Sequence, residues 1–517
     1  MKIERSKNTA RNSFWGILST ILLILFPFIN RTVLIKFLGA EYLGLNGLFA
    51  SILQMLNLTE CGFSSAIIFS MFKPIANDNK EEICALLGFY KRVYRIVGGI
   101  IFIAGICCIP FLNFIISGTI PAGMNIHIIY LIHLANTSVS YFLFAYKNAL
   151  LSAHQRNDIQ HKILMVCRIG QFALQLLSIL FFKNFYLYTF CMVIFTVLNN
   201  LITSKVVSST YPEYYCSGKI RKEQKDEIKE KVSGLIIIKL AGTTRDSLDS
   251  IFISKFMGLT SVAIFSNYFY ILTAVHGVIQ VIATSMSAGV GNSIATESKL
   301  KNYQDFRKIM FLYLWIACWC ISCMANLYQP FMQFWVGTDL MLDFSIVILL
   351  CIYFWLQTIG DIKGIYTGAL GLWWQCRFRA IAETLCNFVL NYIFVKNFGY
   401  AGILFASVLT LLFVNYIYDS FILFRNYFTE FKIARYFLQH LLYSLICAAI
   451  TAICFIMTKF ITISNSYLSF LLKTIAITLM ANSLLFFIYK KTDIFKQSAK
   501  IMATILPTKL KRRFTVL

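Results

Sequence analysis

The chain has 517 residues, 58% of them hydrophobic and only 14% charged, with a mean hydropathy of +0.70, and its apolar runs recur from end to end, which excludes a soluble globular domain and predicts a polytopic membrane protein. The formal net charge of +24 would suit a nucleic-acid partner, but Lys and Arg are spread between the apolar runs and are not gathered in one basic domain, so membrane topology is the better explanation and no nucleic acid is expected. The 15 Cys fall mostly inside apolar runs, and Cys318, Cys320 and Cys323 have no His or carboxylate in their segment, so they read as packing residues and not as a metal site.

The first residues, MKIERSKNTARNSFWGILSTILLILFPFI, have the basic flank and apolar core of a signal peptide but no convincing small-residue cleavage site, and read as a retained first helix. Apolar segments of spanning length follow at roughly 13–37, 43–70, 93–117, 125–147, 160–182, 185–208, 234–257, 260–288, 308–328, 341–366, 378–396, 399–424, 437–460 and 466–489, about fourteen helices in all. Lys and Arg crowd alternate connections, while those near 112–128, 328–343 and 461–472 hold none, so both termini are expected in the cytoplasm.

Several of these segments carry polar residues that lipid would not tolerate. In the first, Arg31 lies roughly 8 Å from the outer end marked by Lys36 at 1.5 Å per residue, where it either snorkels to the interface or faces a cavity. In the second, Gln54, Asn57, Glu60 and Ser64 recur at helical spacing, and in the eleventh so do Glu383, Asn387 and Asn391; each stripe suits either interhelical hydrogen bonds or a cavity wall. Glu383 also has Arg379 four residues earlier as a possible partner. The seventh segment, IIIKLAGTTRDSLDSIFISKFMG, is the most charged: Lys239, Gly242, Asp246 and Asp249 share one stripe with Arg245 beside it, opposite an arc of Leu240, Ala241, Leu248, Ile251 and Phe252. An ionised side chain facing mid-bilayer lipid costs about 2.5 kcal/mol or more, so this stripe is expected to face a polar cavity or to pair internally, as Arg245 and Asp249 could at i,i+4. Arg245 is roughly 15 Å from Lys255, near mid-membrane. His276 in the eighth segment is a single imidazole and reads as a packing residue.

A weak internal repeat divides the chain. Lys36-Phe37-Leu38-Gly39 ends the first segment and Lys255-Phe256-Met257-Gly258 the seventh; Lys183-Asn184-Phe185 and Lys396-Asn397-Phe398 stand at two further corresponding junctions. The expected organisation is a six-helix bundle over 1–208, a basic cytoplasmic linker over 209–233, a second six-helix bundle over 234–427, helices thirteen and fourteen over 428–489 and a basic cytoplasmic tail over 490–517.

PFINRTVLIKFLGAEYLGLNGLFASILQMLNLTECGFSSAI at 27–67, GNSIATES at 291–298, WWQCRFRAIAETLCNFVLN at 373–391 and FGYAGILFASVLT at 398–410 resemble the polysaccharide (O-antigen repeat-unit) flippases of the multidrug/oligosaccharidyl-lipid/polysaccharide exporter superfamily. The resemblance covers nearly the whole chain and implies an all-α fold of two pseudo-symmetric bundles in a V around a central cavity, plus two C-terminal helices. It implies that an undecaprenyl-pyrophosphate-linked oligosaccharide is turned over to the outer leaflet of the bacterial plasma membrane, with other polysaccharide-assembly membrane proteins as partners. Arg245, Arg31 and Lys239 would then hold the pyrophosphate, Asn57, Asn387 and Asn391 the sugars, and Glu60, Asp246, Asp249 and Glu383 would be candidates for coupling to H⁺ or Na⁺. The charges at Arg245 and Asp246 depart from the family's usual seventh helix, which points to this protein's own substrate.

Flipping breaks no bond, so neither catalytic residue nor cofactor is expected. A membrane glycan polymerase or ligase would need a sizeable outer loop, and every outer connection is short. An exporter of small molecules on the same fold is the closer alternative, although acidic cavities suit cationic cargo and the seventh segment carries cations too. No GxxxxGK[ST] loop is present, so ATP is not expected to drive transport.

Overall fold

The computed structural model describes residues 5–57, 63–117, 120–121, 123–461 and 463–505, and helix is the regular structure throughout them. In chain order the helices are α1 (Arg5–Phe37), α2 (Ala40–Leu56), α3 (Phe63–Ala76), α4 (Lys80–Cys108), the short α5 (Leu112–Ile115), α6 (Ile126–Phe142), α7 (Asn148–Ala153), α8 (Asn157–Leu180), α9 (Phe185–Thr210), α10 (Lys222–Met257), α11 (Leu259–Thr296), α12 (Lys299–Val336), α13 (Phe344–Ala369) and α14 (Arg377–Thr410). A π-helical turn (Leu411–Tyr418) continues α14 into α15 (Asp419–Asn426), and α16 (Ile433–Thr458), α17 (Ser466–Tyr489) and α18 (Asp493–Ile505) complete the described chain.

Among the described residues, ten helical segments are long and apolar enough to cross a membrane, and α6 with α7, bent by 48°, makes eleven. The other three expected crossings have local explanations. The span expected at 43–70 holds α2 and α3, each too short alone, with 58–62 between them outside the described residues. The span at 234–257 lies in α10, whose charges set it apart from the apolar segments. Those at 378–396 and 399–424 form one segment, Arg377–Asn426, broken where Gly399 adopts φ 53°, a conformation that favours glycine.

The exposed faces identify the solvent. Leu438, Leu441, Leu442 and Leu445 on α16, and Leu468, Leu471, Leu472, Ile475 and Leu479 on α17, are all exposed at helical spacing. Apolar stripes of this length would drive aggregation in water and are the ordinary surface of a helix in lipid.

Helix ends follow the sequence punctuation. Asn79, Asn125, Asn184 and Asn465 cap α4, α6, α9 and α17 through their side-chain oxygens, and Ser298 caps α12. The repeated tetrapeptides prove to be equivalent breaks. Gly39 (φ 120°) and Gly258 (φ 89°) both leave the right-handed region, and each donates its N–H at 3.2 Å to the carbonyl five residues back, Leu34 in one and Ile253 in the other. The two corners also touch: a Cβ on Gly44 of α2 would sit 1.9 Å from the Leu259 carbonyl oxygen, and Thr260 donates to Glu41 at 3.0 Å. Glycine at 44 is therefore required by close approach of backbone.

The chain divides into two compact units, with the division inside α11 between Ser266 and Asn267. In the first, α8 packs on α1 and α9, α6 on α4 and α9, and α10 on α2 and α3. In the second, α12 is the central helix, covered by α13, α16 and α17, with α18 against its side, while α13 also packs on α14. The expected cytoplasmic linker is in part regular structure, since α10 begins at Lys222 and runs without a break through the seventh apolar segment.

Candidate functional site

The first unit holds a polar cavity of about 350 Å³, open on one side and within the range of small-molecule sites. Its walls are α6, α8 and α9, with Asn57 just beyond α2, Tyr94 on α4, and Ala145 and Asn148 around the start of α7 completing it. Amides and hydroxyls predominate: Asn57, Asn136, Thr137, Ser140, Asn148, Gln171, Thr196, Asn199 and Asn200 all line it, and no carboxylate does among the described residues. Some of these groups hold one another in place. Tyr141 donates to Asn57 Oδ1 at 2.5 Å, Thr196 to Asn136 Oδ1 at 2.7 Å, and Asn200 Nδ2 to Ser140 Oγ at 3.0 Å. Asn148 Oδ1 is buried there without a hydrogen-bond partner among the described residues.

Among the described residues the one cation on this wall is Arg168 of α8, whose Nη1 donates to Gln171 Oε1 at 2.8 Å. Gln171 is the acceptor that meets the guanidinium among the described residues, so most of its N–H donors remain available to a cargo. A guanidinium in a desolvated site lined by neutral amides attracts an anion and repels a cation, and the amides match the alternating donors and acceptors of sugar hydroxyls.

Of the residues singled out in the sequence, Asn57 lines this cavity. Arg31 does not; its Nη1 reaches Ser266 Oγ at 3.2 Å, next to Asn30, which bonds Gln175 at 3.0 Å. Arg245 and Asp249 are buried on α10, at 6% and 2% exposure, together with Thr244, Ser247, Leu248 and Phe252, so burial runs around the helix and is not confined to one stripe. Glu60 and the side chains of Lys239 and Asp246 lie outside the described residues.

Glu383, Asn387 and Asn391 line up on α14 inside the second unit. Asn391 Nδ2 donates to Asn387 Oδ1 at 3.0 Å, and Asn387 Nδ2 to Ser407 Oγ at 3.1 Å, with both amides fully buried. Glu383 accepts from Arg379 Nη1 at 3.0 Å, the i,i+4 pairing that the sequence offered. The pair belongs to a larger cluster. Arg379 Nε lies 3.2 Å from Asp419 Oδ1, and Lys363 Nζ lies 3.6 Å from Asp419 Oδ2. Lys363 also donates to the carbonyl oxygens of Asn415 and Tyr416, at 2.5 and 3.2 Å. Those carbonyls are in the π-helical turn, where the widened backbone leaves acceptors for a side chain. Two cations and two carboxylates neutralise one another, and Lys363 has no exposed surface.

His276 is not an isolated packing residue. Its Nε2 lies 2.8 Å from Asp361 Oδ2, which also accepts from the Tyr313 hydroxyl at 2.8 Å. Arg168, Asp361, Lys363 and Asp419 went unnoticed in the sequence, although each is an ionisable residue inside an apolar run, the same signal that marked the seventh segment.

Outside the spanning segments, His154 in the turn between α7 and α8 stacks 4.4 Å from the Tyr211 ring, and burial pushes its pKa below the ordinary 6.5.

No family model and no curated protein sequence matches the chain. Solved structures do. The lipid II flippase MurJ in an inward closed conformation superposes with a TM-score of 0.68 at 14% identity, covering 93% of this chain and 98% of that one. An inward-facing multidrug resistance MATE family transporter of the MOP superfamily gives 0.58 at 14% identity, over 78% of this chain and 97% of that one. A MOP superfamily transporter from Pyrococcus furiosus, described as having a binding pocket of reversed polarity, gives 0.56 at 15% identity over 80% and 96%. At these identities the likeness is one of fold: the chain shares the architecture of these solved transporters and of the lipid II flippase.

Proposed function

We propose that this protein is a flippase that moves a polyprenyl-pyrophosphate-linked oligosaccharide from the inner to the outer leaflet of a bacterial plasma membrane, by alternating access driven by an ion gradient, with both termini in the cytoplasm. The observation that carries the reading is the cavity of the first unit, where Arg168 stands among amides with no carboxylate on the wall among the described residues. A site for cationic drugs needs negative charge, whereas a diphosphate joined to a sugar needs a cation followed by hydroxyl-matching groups. The fold shared with a lipid II flippase over 93% of the chain supports the same reading.

The test is a leaflet-exchange assay in proteoliposomes, with a fluorescent polyprenyl-pyrophosphate disaccharide as probe and a membrane-impermeant quencher reporting its side. The wild type should accelerate exchange. Arg168→Ala should lose more than tenfold, and Arg168→Lys should recover part of the loss, because it keeps the charge without the fork. Wild-type protein that ignores this probe but moves an organic cation such as ethidium would overturn the reading in favour of a small-molecule exporter.

A further inference from the structure

We propose that Lys147, Lys91 and Arg95, with the hydroxyls of Ser204 and Ser208, form an anion-binding station at the cytoplasmic end of the first unit, where the phosphate group of a membrane-borne ligand docks beside the cavity of Arg168. Lys147 sits between α6 and α7 and directs its ammonium onto α9, donating to Ser204 Oγ at 2.9 Å and to Ser208 Oγ at 2.6 Å. Lys91 and Arg95, one turn apart on α4, close on the same place. Lys91 Nζ stands 5.9 Å from the centre of the Tyr146 ring and its charge acts on Lys147, while the charge of Arg95 acts on Tyr146. Among the described residues no carboxylate forms an ion pair with any of the three cations.

Positive charges gathered around one turn repel one another, and the serine hydroxyls supply dipoles without compensating charge, so the arrangement gains most from an anion. Simple anchoring at the membrane surface would let each long side chain reach separately for water. Lys147 instead is half-buried and turned onto Ser204, which is only 9% exposed. Two of its three ammonium hydrogens go to the serines, which leaves the third, with Lys91 and Arg95, for a ligand. A phosphate group presents several acceptor oxygens in different directions and can take bonds from all three cations at once, whereas a carboxylate offers two oxygens in one plane.

The station continues the polar face of the cavity. Thr196, Asn200, Ser204 and Ser208 follow one another at intervals of four on α9; the first two line the cavity and the last two hold Lys147, whose neighbour Asn148 lines it as well. Gly170 of α8 packs on Phe195, which puts Arg168 near the Thr196 end of this stripe, and Ser204 lies about 12 Å further along the axis at 1.5 Å per residue. The station and Arg168 are therefore two separate places for an anion. Ile96 and Ile100 on α4, and Leu201 and Ile202 on α9, are exposed beside the station as lipid-facing residues, so a ligand can keep its hydrocarbon chain in the bilayer while its head group docks. With the protein read as a flippase, on which the source of the phosphate rests, the ligand is the diphosphate of the lipid-linked sugar, held here before the cargo passes to Arg168.

The phosphate site is tested first without any lipid. Full-length protein in detergent is treated with an amine-reactive reagent, and the modification of each lysine is followed by mass spectrometry. Inorganic pyrophosphate well above its Kd should slow modification of Lys91 and Lys147 about fivefold or more, and leave Lys459 in the second unit unaffected. Protection of Lys91 should vanish in Lys147→Gln and return in Lys147→Arg, because the site needs the charge. Two unprotected lysines, or protection of Lys91 undiminished in Lys147→Gln, would overturn the proposal; should that variant fail to fold, undiminished protection of Lys147 in Lys91→Gln with Arg95→Gln would do so. In nanodiscs of phosphatidylcholine, the fluorescent polyprenyl-pyrophosphate disaccharide should protect both lysines at a mole fraction where phosphatidylglycerol does not. Equal protection by phosphatidylglycerol would assign the site to ordinary anionic lipid and refute its place in loading. Protection by the lipid-linked probe with no leaflet exchange would count against the flippase reading alone, and exchange with no protection would count against the station alone.

Discussion

The buried charges of the two units differ in what surrounds them. In the first, Arg168 meets a single protein acceptor among the described residues and opens onto a cavity of about 350 Å³. In the second, Lys363, Arg379, Asp419 and Glu383 are matched two against two, and Lys363 spends its hydrogens on a carboxylate and two backbone carbonyls. An intramembrane charge with spare donors and space beside it is available to a cargo, while one whose partners are all protein groups belongs to the scaffold. Ionisable character alone does not separate the two.

The largest effect that would sharpen this contrast is on stability. Lys363→Met should leave Asp419 and the π-helical carbonyls short of a donor, costing about 3–5 kcal/mol as for other broken buried pairs, and lowering the melting temperature in detergent steeply. Lys363→Met with Asp419→Leu should recover part of that loss. An unchanged melting temperature in the single variant would remove the scaffold role. Arg168→Ala should behave in the opposite sense, melting within about 1 kcal/mol of the wild type while exchange of the lipid-linked probe falls more than tenfold. A strongly destabilised Arg168→Ala would place Arg168 with the scaffold after all.

Smaller effects are expected where neutral amides hold helices together. Asn387→Ala breaks the link from Asn391 to Ser407 and should cost about 1 kcal/mol, read as a small drop in melting temperature with exchange retained. The weakest is an acid effect at His154. Its folded pKa is depressed by burial, so the native state takes up a proton less readily than the unfolded chain. Its contribution is therefore complete above pH 6.5 and declines as the pH falls through that value towards the folded pKa. Melting between pH 7.5 and 5 should show a slight loss on acidification that is reduced in His154→Gln.

Much of the fold was legible because a bilayer imposes a strict rule on the chain. Runs of about twenty apolar residues must be helices, and their breaks are written in Gly, Asn and Pro. The paired tetrapeptides ending in Gly39 and Gly258 were visible as text and proved to be matching backbone breaks. The candidate site was less legible. The polar stripe of the second segment did contribute Asn57 to the cavity, and the Arg379–Glu383 pair was offered by its spacing. Arg168 passed unnoticed although it stands at the middle of α8, because the other walls of the cavity it faces come from helices distant in the sequence. His276 looked isolated because its partner is 85 residues away.

The sequence by itself determined that this is a polytopic helical membrane protein and where most of its apolar segments and several of its corners fall, since each of these depends on the composition of one segment against its solvent. Which sheltered charges find each other was decided only by the tertiary structure. Asn57 meets Tyr141, Lys363 meets Asp419 and His276 meets Asp361 across helices whose relative rotation and depth no single segment encodes. Hydrophobicity acts on area and fixes what is buried, whereas hydrogen bonds and ion pairs act over about 3 Å and depend on the register at which the buried surfaces finally pack.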